Sequence, residues 1–160
     1  MTIIITGSVA TGKSIIAKKL AKELKHKYLD VNKLIIKEKI REKYSKKLES
    51  YPVDIKKLNK SLIKKIKENK KIIIDSHLSH YLPKKYVDLC IVTICDIKEL
   101  KKRLKKRKYS EKKIKENLET EIFNTILIEA KENKHNILVI DTTKGYNIKQ
   151  IASYIKKCKT

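Results

Sequence analysis

One octapeptide constrains this chain more than any other feature: Gly7-Ser8-Val9-Ala10-Thr11-Gly12-Lys13-Ser14. It follows a β-branched run, Thr2–Thr6, and opens a stretch, Lys13–His26, in which Ile16, Leu20 and Leu24 recur at four-residue spacing. Strand, glycine-bounded loop and helix in that order match Gly-x-x-x-x-Gly-Lys-[Ser/Thr], the loop that cradles phosphates. Gly7 lets the chain leave the strand through a conformation closed to bulkier residues. The loop then turns its N–H groups inward as an anion nest, and the helix N-terminus adds the positive end of a dipole. Gly12 allows close backbone approach to the phosphates. Lys13 is placed to reach the β and γ phosphates, and Ser14 offers a hydroxyl to Mg²⁺. ATP and Mg²⁺ are therefore the expected ligands. Two of only three glycines stand at the required positions. A chance match is expected on the order of once in several hundred sequences, so the loop is read as functional.

The rest of the chain supplies a matching scaffold. Lys71–Asp75, Leu89–Ile94 and Asn136–Asp141 are further short apolar runs, and Lys27–Leu29 is a weaker fifth candidate. They are nearly continuous rather than alternating, as strands covered on both faces require. Helical stretches lie between and after them: Val53–Asn69, Asp96–Lys106, Ser110–His135 and Asn147–Lys157. In the longest, Ile114, Leu118, Ile122, Ile126 and Ala130 share one stripe. The expected fold is α/β, of P-loop NTPase type, with parallel strands under helices on both faces. At 160 residues the chain suits a single domain. Lys37–Ser50 is polar and poorly patterned, which reads as an exposed helix or a mobile lobe.

Further candidates gain meaning beside the loop. Asp75 ends an apolar run, where P-loop proteins keep an acid that holds Mg²⁺ directly or through water. His77 either sits near the transferred phosphate, placing water or substrate, or is a solvated loop histidine; His80 reads as solvated loop. Only three of the 41 basic residues are Arg. Arg107, and less directly Arg103, are candidates to stabilise charge on the transferred phosphoryl oxygens. The net charge of +23 attracts polyanions, including RNA, and also acidic protein surfaces. Cys90, Cys95 and Cys158 form no Cys-x-x-Cys pair, which fits reduced thiols and argues against zinc. No signal-peptide pattern and no apolar run of membrane-spanning length occurs, so a cytoplasmic protein without membrane contact is expected. Lysine self-repulsion suggests a monomer.

The loop GSVATGKS resembles that of small nucleoside monophosphate kinases. DSHLSHYLP at Asp75–Pro83, RKYSEKKIKENLETEIFNTILIEA from Arg107 to Ala130, and VIDTT at Val139–Thr143 resemble more closely the archaeal branch of the adenylate kinase isoenzyme 6 family. The resemblance spans essentially the whole chain. It implies a five-stranded parallel core, a monophosphate-binding lobe at about 30–52 and a short lid at about 107–115. It implies phosphoryl transfer from ATP to AMP or another monophosphate, with some ATP hydrolysis. The implied partner is a platform protein of the small ribosomal subunit, with rRNA as a further contact in subunit maturation. Asp75 and His77 match the family's Asp-x-His positions, Arg107 its lid arginine, and Lys144 a residue near the adenine ring. Ala10 and Ile15 complete the implied ATP-binding set, Ile15 through its backbone N–H. Five departures stand out. Ala10 and Lys108 occupy positions where glycine is usual, and Ile15 one where threonine is usual. The run at Leu89 ends in Thr93-Ile94-Cys95 rather than in arginine. No arginine stands near Ile36, where Lys37 or Arg41 is the available substitute.

Overall fold

The isoleucine runs form the centre of the sheet because both of their faces are covered. In the computed structural model, which describes residues 1–157, β1 (Thr2–Gly7) is buried along its whole length. β3 (Ile72–Asp75) lies on one side of it and β4 (Leu89–Ile94) on the other, with β2 (Lys27–Asp30) and β5 (Ile137–Asp141) at the edges. All pairings are parallel, and the order is β2-β3-β1-β4-β5. Register sets Ile5 beside Asp75, Gly7 beside Thr93, and Asp30 beside Asp75. The C-terminal ends of the three inner strands therefore converge at the phosphate loop.

Alternation within each run feeds two cores. Ile3, Ile5, Ile73, Ile91 and Ile140 meet α1 (Lys13–Leu24) and α7 (Ile148–Lys157). Ile4, Ile72, Ile74, Cys90 and Val92 face the other way, against α2 (Val31–Lys37), α3 (Ile55–Glu68) and α6 (Thr125–Glu132). Each fully buried isoleucine contributes about 1.5–3 kcal/mol relative to an exposed one. A third cluster joins Ala10 of the phosphate loop to Leu100 and Leu104 of α4 (Ile97–Lys106) and Ile114 of α5 (Glu111–Ile122). Asp30, Asp54, Asp96 and Ser110 cap α2, α3, α4 and α5 through side-chain bonds to first-turn N–H groups.

Two expectations need correction. Ser110–His135 is not one helix: it breaks at Phe123–Asn124, where Asn124 takes φ 50°, and α6 ends at Glu132. A single stripe cannot serve two neighbours. Ile114 packs against α4, whereas Ile126 and Ala130 cover the sheet, so the axis must turn between them. Asn tolerates the left-handed conformation better than other non-glycine residues. Ile122, at the turn, is consequently exposed. The polar segment Lys37–Ser50 is likewise not an exposed helix. It leaves the end of α2, a seven-residue helix in which Val31, Leu34 and Ile35 are buried. It then doubles back through antiparallel bridges between Arg41 and Val53 and between Ser45 and Ser50.

Candidate active site

The phosphate loop is built around contacts that only glycine permits at its first position. Gly7 has φ 140°, and a Cβ there would stand 2.3 Å from Thr93 Oγ1 and 2.4 Å from the Thr93 carbonyl. Thr93 Oγ1 in turn lies 2.6 Å from Thr11 Oγ1 and donates to the Thr6 carbonyl at 3.2 Å. Thr93 thus has a use in this chain, locking β4 to both ends of the loop. Gly12, at φ 88°, precedes α1 and offers no side-chain cap, and α1 has no acid in its first turn. Unlike the four capped helices, α1 presents its N-terminal amides and dipole with no carboxylate competing for them. Ile15 N–H is bonded to the Gly12 carbonyl at 3.1 Å, and its side chain is exposed beside that of Ser14.

Lys13 lies across the loop, its ammonium donating to the Ser8 carbonyl at 2.7 Å. Burial lowers its pKa to about 8; Asp75 opposes this, Arg107 adds to it and Glu121 opposes it. Asp75, Arg107 and Glu121 are thus the charged groups that act on this ammonium. Asp75 is buried and accepts from the Tyr28 hydroxyl at 2.8 Å. Burial, then the bond to Asp75, raises the Tyr28 pKa. Asp75 and Ser14 form a hard-oxygen pair of the kind Mg²⁺ uses when phosphates and waters complete its shell. Tyr28 and Glu121 were not anticipated as parts of this site.

The two histidines differ in environment. His77 is open to the cleft, yet protein surrounds it closely enough that desolvation, with the charges of Lys13 and His80, lowers its pKa to about 4. It is a neutral imidazole at the mouth of an anion site, and bound phosphates would oppose that lowering. His80 is not a solvated loop residue: it is 1% exposed. Its Nδ1 lies 3.0 Å from Thr6 Oγ1 and its Nε2 2.9 Å from Glu129 Oε2. The reason is the short helical turn Ser79–Tyr81, which folds back under α6 instead of reaching solvent. Burial lowers its pKa, while Glu129 opposes that shift.

The arginines separate as well. Arg103 is committed to structure: Nε donates to Glu99 at 2.9 Å, and Nη1 and Nη2 donate to Thr142 Oγ1 and the Thr142 carbonyl at 3.2 and 2.9 Å. Thr142 Oγ1 donates to the Thr11 carbonyl at 2.8 Å, so Arg103 braces the loop from behind. Arg107, at the C-terminal end of α4, is exposed and is the arginine whose charge reaches Lys13. Lys144 is exposed after β5 and lines an open cleft of ≈ 740 Å³ with Cys95, Asp96 and Asp141.

A second cleft, ≈ 680 Å³, runs from Val9 and His77 to Arg41 and Tyr51, between α2 and α5. The Arg41 guanidinium sits 4.4 Å over the Tyr51 ring. α5 meets the far wall: Ser110 Oγ donates to Glu49 at 2.6 Å, and Lys113 Nζ to the Leu48 carbonyl at 2.7 Å. The cleft is therefore bridged over by the segment that begins α5.

A parallel sheet whose central strand enters such a loop, with a buried acid ending the neighbouring strand, defines a P-loop nucleotide-binding domain of the kinase fold class. Residues 3–124 match the family model described as an AAA domain. A Pyrococcus furiosus protein named "Putative adenylate kinase" is 38% identical over 143 residues, covering 89% of this chain and 76% of its own. A Methanosarcina acetivorans protein of the same name is 36% identical over 163 positions, covering 98% and 85%. The chain belongs to this archaeal P-loop family, the one its motifs resemble. A solved Chloroflexus aurantiacus structure described as a "putative kinase" has the same fold, with a TM-score of 0.63 at 16% identity over 99% and 94% of the two chains. No helix among the described residues is long and apolar enough to cross a membrane.

Proposed function

We propose that this chain is a broad-specificity nucleoside monophosphate kinase that transfers the γ-phosphoryl group of ATP to AMP, with ATP hydrolysis as a side reaction. The observation that carries this reading is the ≈ 680 Å³ cleft that begins at Val9 and His77 and ends at Arg41 and Tyr51. A P-loop ATPase needs only the donor side. A cleft of nucleotide size opening onto the same loop supports an acceptor. In this reading residues 30–52 form the acceptor lobe, and Arg41 replaces the family arginine absent near Ile36.

The chain's own groups have separable tasks. The amides of Gly7–Ser14 and the Lys13 ammonium hold the β and γ phosphates. Ser14 and Asp75 are the residues that would hold Mg²⁺, which supplies charge neutralisation between the phosphates. Arg107, on a lid of residues 107–115, offsets charge on the transferred oxygens, and Lys144 lies near the adenine. Neutral His77 accepts a hydrogen bond from the acceptor or from water, positioning it in line. Closure of the lid excludes water and favours transfer over hydrolysis.

Incubation with ATP·Mg²⁺ and each monophosphate, with diphosphate formation followed, tests the proposal. ADP should form from ATP and AMP well above the rate of hydrolysis without acceptor. A rate no faster than that hydrolysis removes the kinase reading, and turnover only with other small acceptors would assign a different P-loop kinase. The +23 charge favours a second, compatible reading, a nucleotide-controlled factor in small ribosomal subunit maturation. Capture of a single platform protein should then differ between ATP and ADP. Salt-sensitive capture indifferent to nucleotide would reduce it to generic electrostatics.

A further inference from the structure

The last turn of α5 carries a carboxylate with partners on two other elements. Glu121 Oε2 accepts from Ser8 Oγ at 2.5 Å, inside the phosphate loop, and Oε1 accepts from the Cys95 N–H at 2.8 Å, just beyond β4. Ser8 is the hub of that loop. Its carbonyl accepts from Lys13 Nζ at 2.7 Å, Thr11 Oγ1 at 2.8 Å and the Thr11 N–H at 3.3 Å. The hydroxyl that Glu121 holds therefore belongs to the residue on which Lys13 rests. Val9 and Ala10 also share a cluster with Leu100, Leu104, Ile114 and Leu118 of α4 and α5. The loop leans on the α4–α5 pair through apolar contacts and is pinned to it by this one carboxylate. The other end of α5, ten residues and about 15 Å away, follows directly on Arg107–Ser110.

The sign of the charge decides what Glu121 is for. A carboxylate beside the loop repels a polyphosphate directly, and its field favours binding only indirectly, through the Lys13 ammonium it helps keep charged. Its use is geometric. We propose that Glu121 is a positioning residue that registers the phosphate loop against the lid-bearing helix, so that Lys13 and the loop amides take their reactive places as that helix closes. The proposal rests on the phosphotransfer reading for its kinetic consequence, but not for its structural one.

A double-variant cycle tests it, with initial rates of ADP formation from ATP and AMP as the readout. Glu121→Gln keeps the shape but replaces one carboxylate oxygen with an amide donor, so the charge-assisted bond from Ser8 is lost even where its hydroxyl turns to accept; Ser8→Ala removes that hydroxyl. Each should lower kcat about tenfold with the KM for ATP little changed, since in Glu121→Gln the loss of a repelling charge and the loss of support for the Lys13 ammonium offset, and Ser8→Ala removes no charge. The double variant should lose no more than the worse single variant. Amide hydrogen exchange in the nucleotide-free protein gives a readout independent of activity. Exchange across residues 7–13 should quicken in Glu121→Gln, with β3 unchanged, which separates local loosening from a failure to fold. Any one of three results overturns the inference: a kcat within twofold of the unaltered protein, a double-variant loss nearer the product of the singles, or unaltered exchange at residues 7–13. If the unaltered protein makes no ADP, only the kinase reading falls, and the exchange experiment still decides the role of Glu121.

Discussion

Tyr28 reaches from the edge strand β2 to donate its hydroxyl proton to Asp75, 2.8 Å away at the end of β3. Burial and the carboxylate both raise the Tyr28 pKa, so it remains a donor across the physiological range. This bond orients one of the two oxygen groups proposed for Mg²⁺. Tyr28→Phe should destabilise the protein by about 1.5–3 kcal/mol, the range for a bond to a charged acceptor. It should also raise the Mg²⁺ concentration needed for half-maximal turnover. Urea denaturation and a Mg²⁺ titration check the two parts; an unchanged Mg²⁺ requirement would reduce Tyr28 to a purely structural role.

The two loop glycines should respond differently to a methyl group. At Gly7 the new Cβ would meet a backbone carbonyl at 2.4 Å, which cannot move without parting β1 from β4. At Gly12 the nearest atom is a Thr142 methyl at 3.9 Å, and the cost is the left-handed backbone alone, about 1–2 kcal/mol. Gly7→Ala should therefore lose far more stability than Gly12→Ala in thermal unfolding. Equal losses would mean that Thr93 does not stand where it is described.

Ala10 and Lys108, where the resemblance led glycine to be expected, both adopt positive φ, 68° and 58°. Lys108 is exposed, so Lys108→Gly should stabilise by about 0.5–1 kcal/mol through relief of backbone strain, less the entropy glycine adds to the unfolded chain. Ala10 is buried in the α4–α5 cluster, and its methyl contributes about 0.8 kcal/mol there. Ala10→Gly should thus be nearly neutral. Chemical denaturation of both variants measures the difference; a destabilised Lys108→Gly would contradict the strain assignment.

Arg103 and Arg107 should separate stability from turnover. Arg103→Ala leaves Glu99 and the Thr142 carbonyl without their partner and should cost about 1–3 kcal/mol. Arg107→Ala removes an exposed side chain, so stability should hardly change while kcat falls about 10²-fold or more. Reversal of this pattern would assign the lid charge to Arg103.

Lys13 should make both stability and binding depend on pH. Burial lowers its pKa from 10.5 to about 8, Asp75 opposing. Between these values the unfolded chain keeps a proton that the folded one has released. The destabilising effect of the buried ammonium is complete below the lower value and fades as pH rises through the window. ATP favours the charged form, so binding near about pH 8.5 should take up protons. Calorimetry in two buffers of different ionisation enthalpy detects the uptake, and Lys13→Ala should abolish it.

Local chemistry made much of this protein legible in its sequence. Gly7 and Gly12 both take the positive φ that the motif requires, and the four β-branched runs are β1, β3, β4 and β5, with the weaker candidate Lys27–Leu29 forming β2, because a conformational demand or an apolar run is written into consecutive residues. The break at Asn124 was not legible, because one stripe reports an apolar face without saying how many neighbours share it. His80 looked solvated because nothing near it in sequence names Thr6 or Glu129 as partners. The bonds from Tyr28 to Asp75 and from Ser8 to Glu121 close gaps of 47 and 113 residues. Residue type and periodicity determined which groups needed burial or an anion. Which groups met was decided only when strand order and helix packing brought distant segments together, since hydrogen bonds and buried charges depend on distances in space and not on separation along the chain.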